Sequence, residues 1–143
     1  MARQLSVKLF DGQITKNFSI DEMKCKGTGE LIINADVIDH AQRLQRFRDW
    51  YNRAMKVNSW YRNPVYNAST KVKGGRDSQH LLGLATDIAL PKEFYLFSKA
   101  RKEEFYHNCR AKWFELGGNG FGFYRTFMHM DSRKGKRWDE DMR

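Results

Sequence analysis

The five residues Phe127-Met128-His129-Met130-Asp131 alternate in a way that only a strand with two different faces can satisfy. Period two sets His129 and Asp131 on one side, with the apolar Met128 and Met130 on the other. A second stretch, Leu84 to Leu90, shows strand-like alternation and carries Asp87 between Ala85 and Ala89 on its own face. Both strands need an apolar layer behind them, and the segment from Asp36 to Met55 can supply one. There Val37, Ala41, Leu44, Phe47, Tyr51 and Ala54 recur at steps of three and four, which predicts an amphipathic helix. Phe105, Cys109, Trp113 and Leu116 repeat the pattern within Phe94 to Leu116, ahead of the stop Gly117-Gly118. The expected architecture is α+β, with helices packed on a small antiparallel sheet.

Shorter signals fill in the rest. Leu5, Val7 and Leu9 suit an extended arm, and Ser19-Ile20-Asp21-Glu22 has the spacing of a capping box. Val57 to Tyr61 reads as a strand ended by Asn63-Pro64, and Thr70 to Asp77 as a polar loop. Arg43, Arg46, Arg48 and Arg53 read as a solvated basic face of the first long helix. At 143 residues the chain is expected to form one domain spanning 1–143.

A hydrophobic share of 41% and an aromatic share of 14% exclude a disordered chain. The net charge of +9 favours a polyanionic partner: nucleic acid, an anionic membrane or an acidic wall polymer. No nucleic-acid-binding motif emerges, and most aromatics fall at core-like positions, so no specific nucleic acid is expected. Cys25 and Cys109 are the only cysteines, too few for a disulfide framework or a Cys-rich zinc cluster, although one bridge stays open. The first residues lack the apolar run of a signal peptide, and no stretch approaches membrane-spanning length. Synthesis in a (host) cytoplasm, and a monomer, are the corresponding expectations.

His80, Asp87 and His129, with Asp131 left over, are the residues whose chemistry stands out. His80 and Asp87 are joined through Gly83, whose turn can fold the imidazole back beside the carboxylate. Of His129 and Asp131, one can ligate a metal while the other moves a proton or orients a ligand. Three nitrogen and oxygen donors with one open position make a hydrolytic zinc site rather than a structural one.

Trp60-Tyr61-Arg62-Asn63-Pro64-Val65-Tyr66-Asn67, Ser78-Gln79-His80 through Asp87-Ile88, and Gly120-Phe121-Gly122-Phe123-Tyr124 leading to His129-Met130-Asp131 together resemble the zinc D-Ala-D-Ala carboxypeptidase family. That family includes peptidoglycan endopeptidases and phage endolysins. The opening Asn17 to Met23, followed by Cys25, is similar too, and the likeness covers roughly residues 17 to 138. It implies the zinc D-Ala-D-Ala carboxypeptidase/hedgehog-like fold and one Zn2+ held by His80, Asp87 and His129. It also implies a role for Arg62 in binding a substrate carboxylate or stabilising the carbonyl oxyanion. Several relatives carry an acidic residue three positions before the last histidine, where this chain has Thr126. Asp131 is therefore the candidate proton-transfer residue, with orientation of His129 as its other reading. Ser78, Gln79 and Tyr124 are candidate substrate-binding residues, the first two also shaping the loop around His80; Tyr61 and Tyr124 are expected either to line the cleft or to lie in the core, and Trp138 to close the core nearby.

The implied activity is hydrolysis of peptide bonds in bacterial peptidoglycan, in the manner of a small phage endolysin acting on the wall or periplasm after release. The basic surface would then favour anionic wall polymers or envelope. The competing reading is a zinc-containing wall-binding or virion module without turnover, which Thr126 favours.

Overall fold

The computed structural model describes residues 11–69, 72, 74–75 and 77–143; the arm at Leu5 to Leu9 and part of the Thr70–Asp77 loop lie outside them. The fold is α+β. A two-stranded ribbon, β1 (Gln13–Thr15) and β2 (Phe18–Ser19), leads into a single helical turn, α1 (Ile20–Met23). Ser19 and Glu22 close that turn reciprocally. The Ser19 amide donates to Glu22 Oε1 at 2.8 Å, and the Glu22 amide donates to Ser19 Oγ at 3.2 Å.

The long helix α2 (Ala35–Tyr51) begins at Asn34, whose Oδ1 accepts the Val37 amide at 2.9 Å. It ends at Asn52 in the left-handed region (φ 53°), a conformation asparagine tolerates. Val37, Ala41, Leu44, Phe47 and Tyr51 are buried, as their spacing predicts, whereas Ala54 lies beyond the helix. Arg43 departs from the basic solvated face. Its Nε donates to the Leu116 carbonyl and its Nη1 to Ser132 Oγ, so it ties α2 to two distant points of the chain. After β3 (Val57–Ser59), Asn63 caps a short helix, α3 (Pro64–Ala68), where the sequence suggests only a turn. A 3-10 turn (Gln79–Leu82), β4 (Ala85–Ala89) and a second 3-10 turn (Lys92–Leu96) lead to α4 (Lys99–Glu115). Strands β5 (Gly120–Phe123), β6 (Phe127–Asp131) and β7 (Trp138–Asp141) complete the chain.

The main sheet has the order β3-β4-β6-β5-β7. Its first four strands in that order pair antiparallel, but β7 joins β5 in parallel. The highly charged tail thus forms a strand that its residue types do not advertise. Three acidic residues in a row are poor strand formers, and the β5 edge supplies the missing pairing. One sheet face carries Val57, Ile88, Met128, Met130, Phe121 and Phe123, all buried against α2 and α4. The opposite face carries the polar set described below. Among the described residues, no helix is long and apolar enough to cross a membrane.

Two aromatic side chains bind the helical layer to the sheet. Trp60 and Trp113 are fully buried and meet the His40 ring edge-on from either side, at 5.5 and 5.8 Å between centroids. His40 itself is fully buried, with Nδ1 at 2.6 Å from Ser132 Oγ and Nε2 at 2.9 Å from Thr86 Oγ1. Burial, opposed by the charge of Asp131 and aided by that of Arg43, holds this imidazole down at about 3. The unfolded chain then binds the proton more readily than the native state does. Stability is present above the ordinary histidine pKa and is lost as pH falls toward the depressed one, by up to about 1.4 kcal/mol per pH unit. Between about pH 6.5 and 5, the melting temperature of the wild type will therefore fall more steeply than that of His40→Gln. Parallel pH dependences in calorimetry would refute the assignment.

Candidate active site

The polar face of the sheet is organised by register. Asp87 on β4 is the direct cross-strand partner of His129 on β6, and Ser59 on β3 is the partner of Asp87. His80 arrives from outside the sheet. It sits in the 3-10 turn that Ser78 opens, where Ser78 Oγ accepts the His80 amide at 3.2 Å. Gly83 ends that turn at φ +71°, a backbone region that favours glycine, so the chain can reverse directly into β4. The turn is locked onto the strand before it. Trp60 Nε1 donates to the Gly83 carbonyl at 2.9 Å, and the Arg62 amide donates to the His80 carbonyl at 3.0 Å.

These constraints bring His80, Asp87 and His129 together, with one donor atom of each lying within 4.8 Å of the others. His129 Nδ1 is 3.0 Å from Asp87 Oδ1, and His80 Nε2 is 3.2 Å from Asp87 Oδ2. Bonds of about 2.0–2.1 Å to a tetrahedral zinc would separate ligand atoms by roughly 3.4 Å, close to both values. His80 makes the stronger case for a cation. Its Nδ1 lies 2.6 Å from the Trp60 carbonyl, which can only accept, so the ring proton resides there and Nε2 carries a lone pair. That Nε2 is buried, makes no hydrogen bond and faces a carboxylate oxygen. Two electron-rich atoms in contact are favourable only with a positive charge between them, so the donor set fits a metal ion.

The charges agree. Burial opposes ionisation of Asp87, yet the close approach of the His129 and His80 rings holds its carboxyl well below the usual range. Burial also opposes a charged His129 ring, but Asp131 and Asp87 outweigh it and raise the pKa to about 9. His80 is shifted the other way, because burial dominates over its contact with Asp87.

Asp131 stands behind this centre. It is fully buried, and its Oδ2 is 2.7 Å from His129 Nε2, the ring nitrogen turned away from Asp87. Arg133 donates through its amide and Nε to Oδ1 and through Nη2 to Oδ2, at 3.0, 3.0 and 2.7 Å. With its lone pairs engaged and no exposure, Asp131 is placed to orient the ring and has no access to water in the cleft. The sequence offers it both roles; the geometry suits orientation. Gly120 makes the arrangement possible, because a Cβ there would overlap the Asp131 carboxylate.

A cleft of about 280 Å3 opens beside Asp87, lined by Asn58, Ser59, Arg62, Tyr66, Val72 and Phe127. Arg62 is fixed within it. Its Nη2 donates to Asp87 Oδ2, its Nε to Ser59 Oγ and its Nη1 to Asn67 Oδ1, at 3.0, 3.0 and 3.3 Å. Tyr124 stacks flat on Phe127, 4.4 Å between centroids, and so borders the cleft through that ring. Tyr61 is buried. Gln79 lines a separate cavity with Asn34, Asp36, Leu82, Leu84 and Lys134. Thr126 is exposed in the β5–β6 turn, where its carbonyl accepts the Leu90 amide.

Sequence reasoning passes over Asn67, Phe127 and Arg133. Asn67 is buried and passes the Arg62 contact on to the Gly75 carbonyl at 2.9 Å. It lies inside the quoted Trp60–Asn67 motif, which was its only visible signal. Arg133 stood in a charged tail with nothing to mark it.

A search against curated proteins found no match. A profile described as Peptidase M15 matches residues 16–131, which contain His80, Asp87, His129 and Arg62. Since that match takes in both long helices and four of the five strands of the main sheet, the chain belongs to the peptidase M15 family, the zinc D-Ala-D-Ala carboxypeptidases.

Proposed function

We propose that this peptidase hydrolyses peptide bonds in the stem peptides or cross-links of bacterial peptidoglycan, with one zinc ion held by His80, Asp87 and His129. The observation that carries the reading is the convergence of those three donors beside a cleft walled by a fixed arginine. Zinc bound there would polarise the scissile carbonyl and lower the pKa of water toward neutrality.

The protein's own groups do the rest. Arg62 presents a guanidinium whose geometry suits a substrate carboxylate or the negative charge that develops on the carbonyl oxygen. Its bonds to Asp87, Ser59 and Asn67 hold it ready, so little reorganisation is needed. Asp131 keeps the His129 ring in one orientation, with Nδ1 facing Asp87. Ser78 sets the turn that carries His80, and Phe127 with Tyr124 gives the cleft an apolar wall. The basic charge of +9 supports a setting beside anionic wall polymers, and release from an infected host as a phage endolysin is the biological role we assign.

Digestion of purified peptidoglycan with and without a chelator, followed by mass spectrometry of the fragments, tests this directly. Chelator-sensitive release of peptides is expected, and the fragment masses name the bond. Zinc-loaded protein that cuts no wall chemistry would instead favour a binding module, the reading suggested by Thr126.

Asp131→Asn should separate positioning from ligation. Loss of a carboxylate that orients a metal-binding histidine costs about 10–100-fold in affinity or activity. Zinc affinity and kcat are both expected to fall within that range while the fold persists. An unchanged zinc affinity with kcat abolished would instead make Asp131 a proton-transfer residue.

A further inference from the structure

The register of the sheet sets five residues in one row across its metal-binding face: Ser59 on β3, Asp87 on β4, His129 on β6, Gly122 on β5 and Glu140 on β7. Strand β7 lies beyond the residues matched by the family profile, and Glu140 ends the row on that side. Gly122 contributes no side chain between His129 and Glu140. The space its Cβ would need is occupied by the rings of Trp138 and Tyr124. The Trp138 ring meets His129 edge-on, 5.5 Å between centroids, and Arg133 lies over the indole.

Alternation along β7 separates its three carboxylates. Asp139 pairs with Arg110 of α4, and Asp141 pairs with Arg143, which also reaches Glu103 of α4. Glu140 points to the opposite face. It is exposed and has no ion-pair or hydrogen-bond partner among the described residues, in a protein with a large excess of cations. The Tyr124 phenol, pushed up first by burial, is pushed further by the charges of Asp87 and Glu140. A metal ligand and this carboxylate thus flank the same ring.

Distance decides what Glu140 can do. Neighbouring strands are roughly 4.8 Å apart, so its Cα starts about 10 Å from that of His129. The metal-binding atoms lie on the far, β4 side of His129. A glutamate carboxylate extends only about 4 Å from its Cα. Glu140 therefore stops several ångströms short of water at the centre, and a proton-transfer role is excluded. The gap equals roughly two residues of extended peptide, at about 3.3 Å each.

We propose that Glu140 forms a subsite for a substrate ammonium group, carried one or two residues from the scissile bond, with Trp138 and Tyr124 flooring the path to it. The inference rests on the peptidase reading above and adds a preference for cationic peptides. The ammonium has two sources, a diamino side chain or a free N-terminal amine, which selective acetylation distinguishes.

The test compares wall-derived peptides with both amines free, with the side-chain amine acetylated, and with the N-terminal amine acetylated. The zinc-loaded full chain is expected to favour the free form by roughly threefold to fivefold, chiefly in KM, as befits a solvent-facing ion pair. One acetylation should remove the preference, and that one names the source. Glu140→Gln should bring the ratio to about one, and Glu140→Lys should invert it. A wild type indifferent to acetylation, or a preference that survives in Glu140→Gln, overturns the proposal. If no peptide is cut, the peptidoglycan reading fails separately. The same peptides are then titrated by NMR against the zinc-loaded protein: an amine-dependent shift of the Trp138 indole, lost in Glu140→Gln, upholds the subsite, and its absence overturns it.

Discussion

Asp87→Asn will lose zinc binding and peptide cleavage together. Asp87 touches both histidines of the centre and its arginine: Oδ1 faces His129, while Oδ2 faces His80 and accepts from Arg62. The substitution keeps the shape but removes the one negative charge opposite two imidazoles and a guanidinium. Losing a ligand should exceed the effect of losing an orienting partner, so zinc affinity is expected to fall by more than about 100-fold. Leaving the Arg62 contact without its anion adds about 1–3 kcal/mol of destabilisation. Competition against a chromophoric chelator measures the affinity, and denaturation of the zinc-free protein measures the fold. A zinc affinity close to that of the wild type in a folded Asp87→Asn variant would remove Asp87 from the site.

The largest effect on stability is expected at Trp113, far from any substrate. Its ring is fully buried against His40 and Phe47, and its Nε1 donates to the carbonyls of both Gly120 and Asp131, at 2.9 and 3.1 Å. The indole thus joins the start of β5 and the end of β6 to α4. Truncation to alanine should cost about 3–5 kcal/mol through the cavity it leaves. That is a large part of the roughly 5–15 kcal/mol that holds a domain together. Trp113→Phe retains most of the volume but removes the indole donor from both carbonyls, of which that of Asp131 keeps the Asn119 amide, and should cost less, about 1–3 kcal/mol. Urea titration of the two variants orders these costs. A loss below about 1 kcal/mol for Trp113→Ala would mean that the core closes over the gap.

The two predictions differ in how much of them the linear chain discloses. His80, Asp87 and His129 are conspicuous by residue type and spacing, and the motifs around them resemble one family from Trp60 to Asp131. The apolar steps of α2 and α4 identify most of the helix positions that are buried. The limits of the pattern are equally concrete. Arg43 reads as part of a solvated row but turns inward to Leu116 and Ser132. His40, with no motif around it, is buried with Ser132, 92 positions away, at one nitrogen and Thr86 at the other. The charged tail forms β7 because the β5 edge was open, a fact about a strand about twenty residues earlier.

Periodicity and residue chemistry by themselves determined the helical faces, the alternation of β4 and β6, and which side chains could hold a metal. These follow from local backbone geometry, which repeats every two or 3.6 residues and is therefore written along the chain. The tertiary structure alone decided that Asp131 lies behind the His129 ring, that Arg133 saturates it, and that Glu140 shares a row with Asp87. Those relations depend on strand order and register, set by packing between segments that no sequence spacing connects.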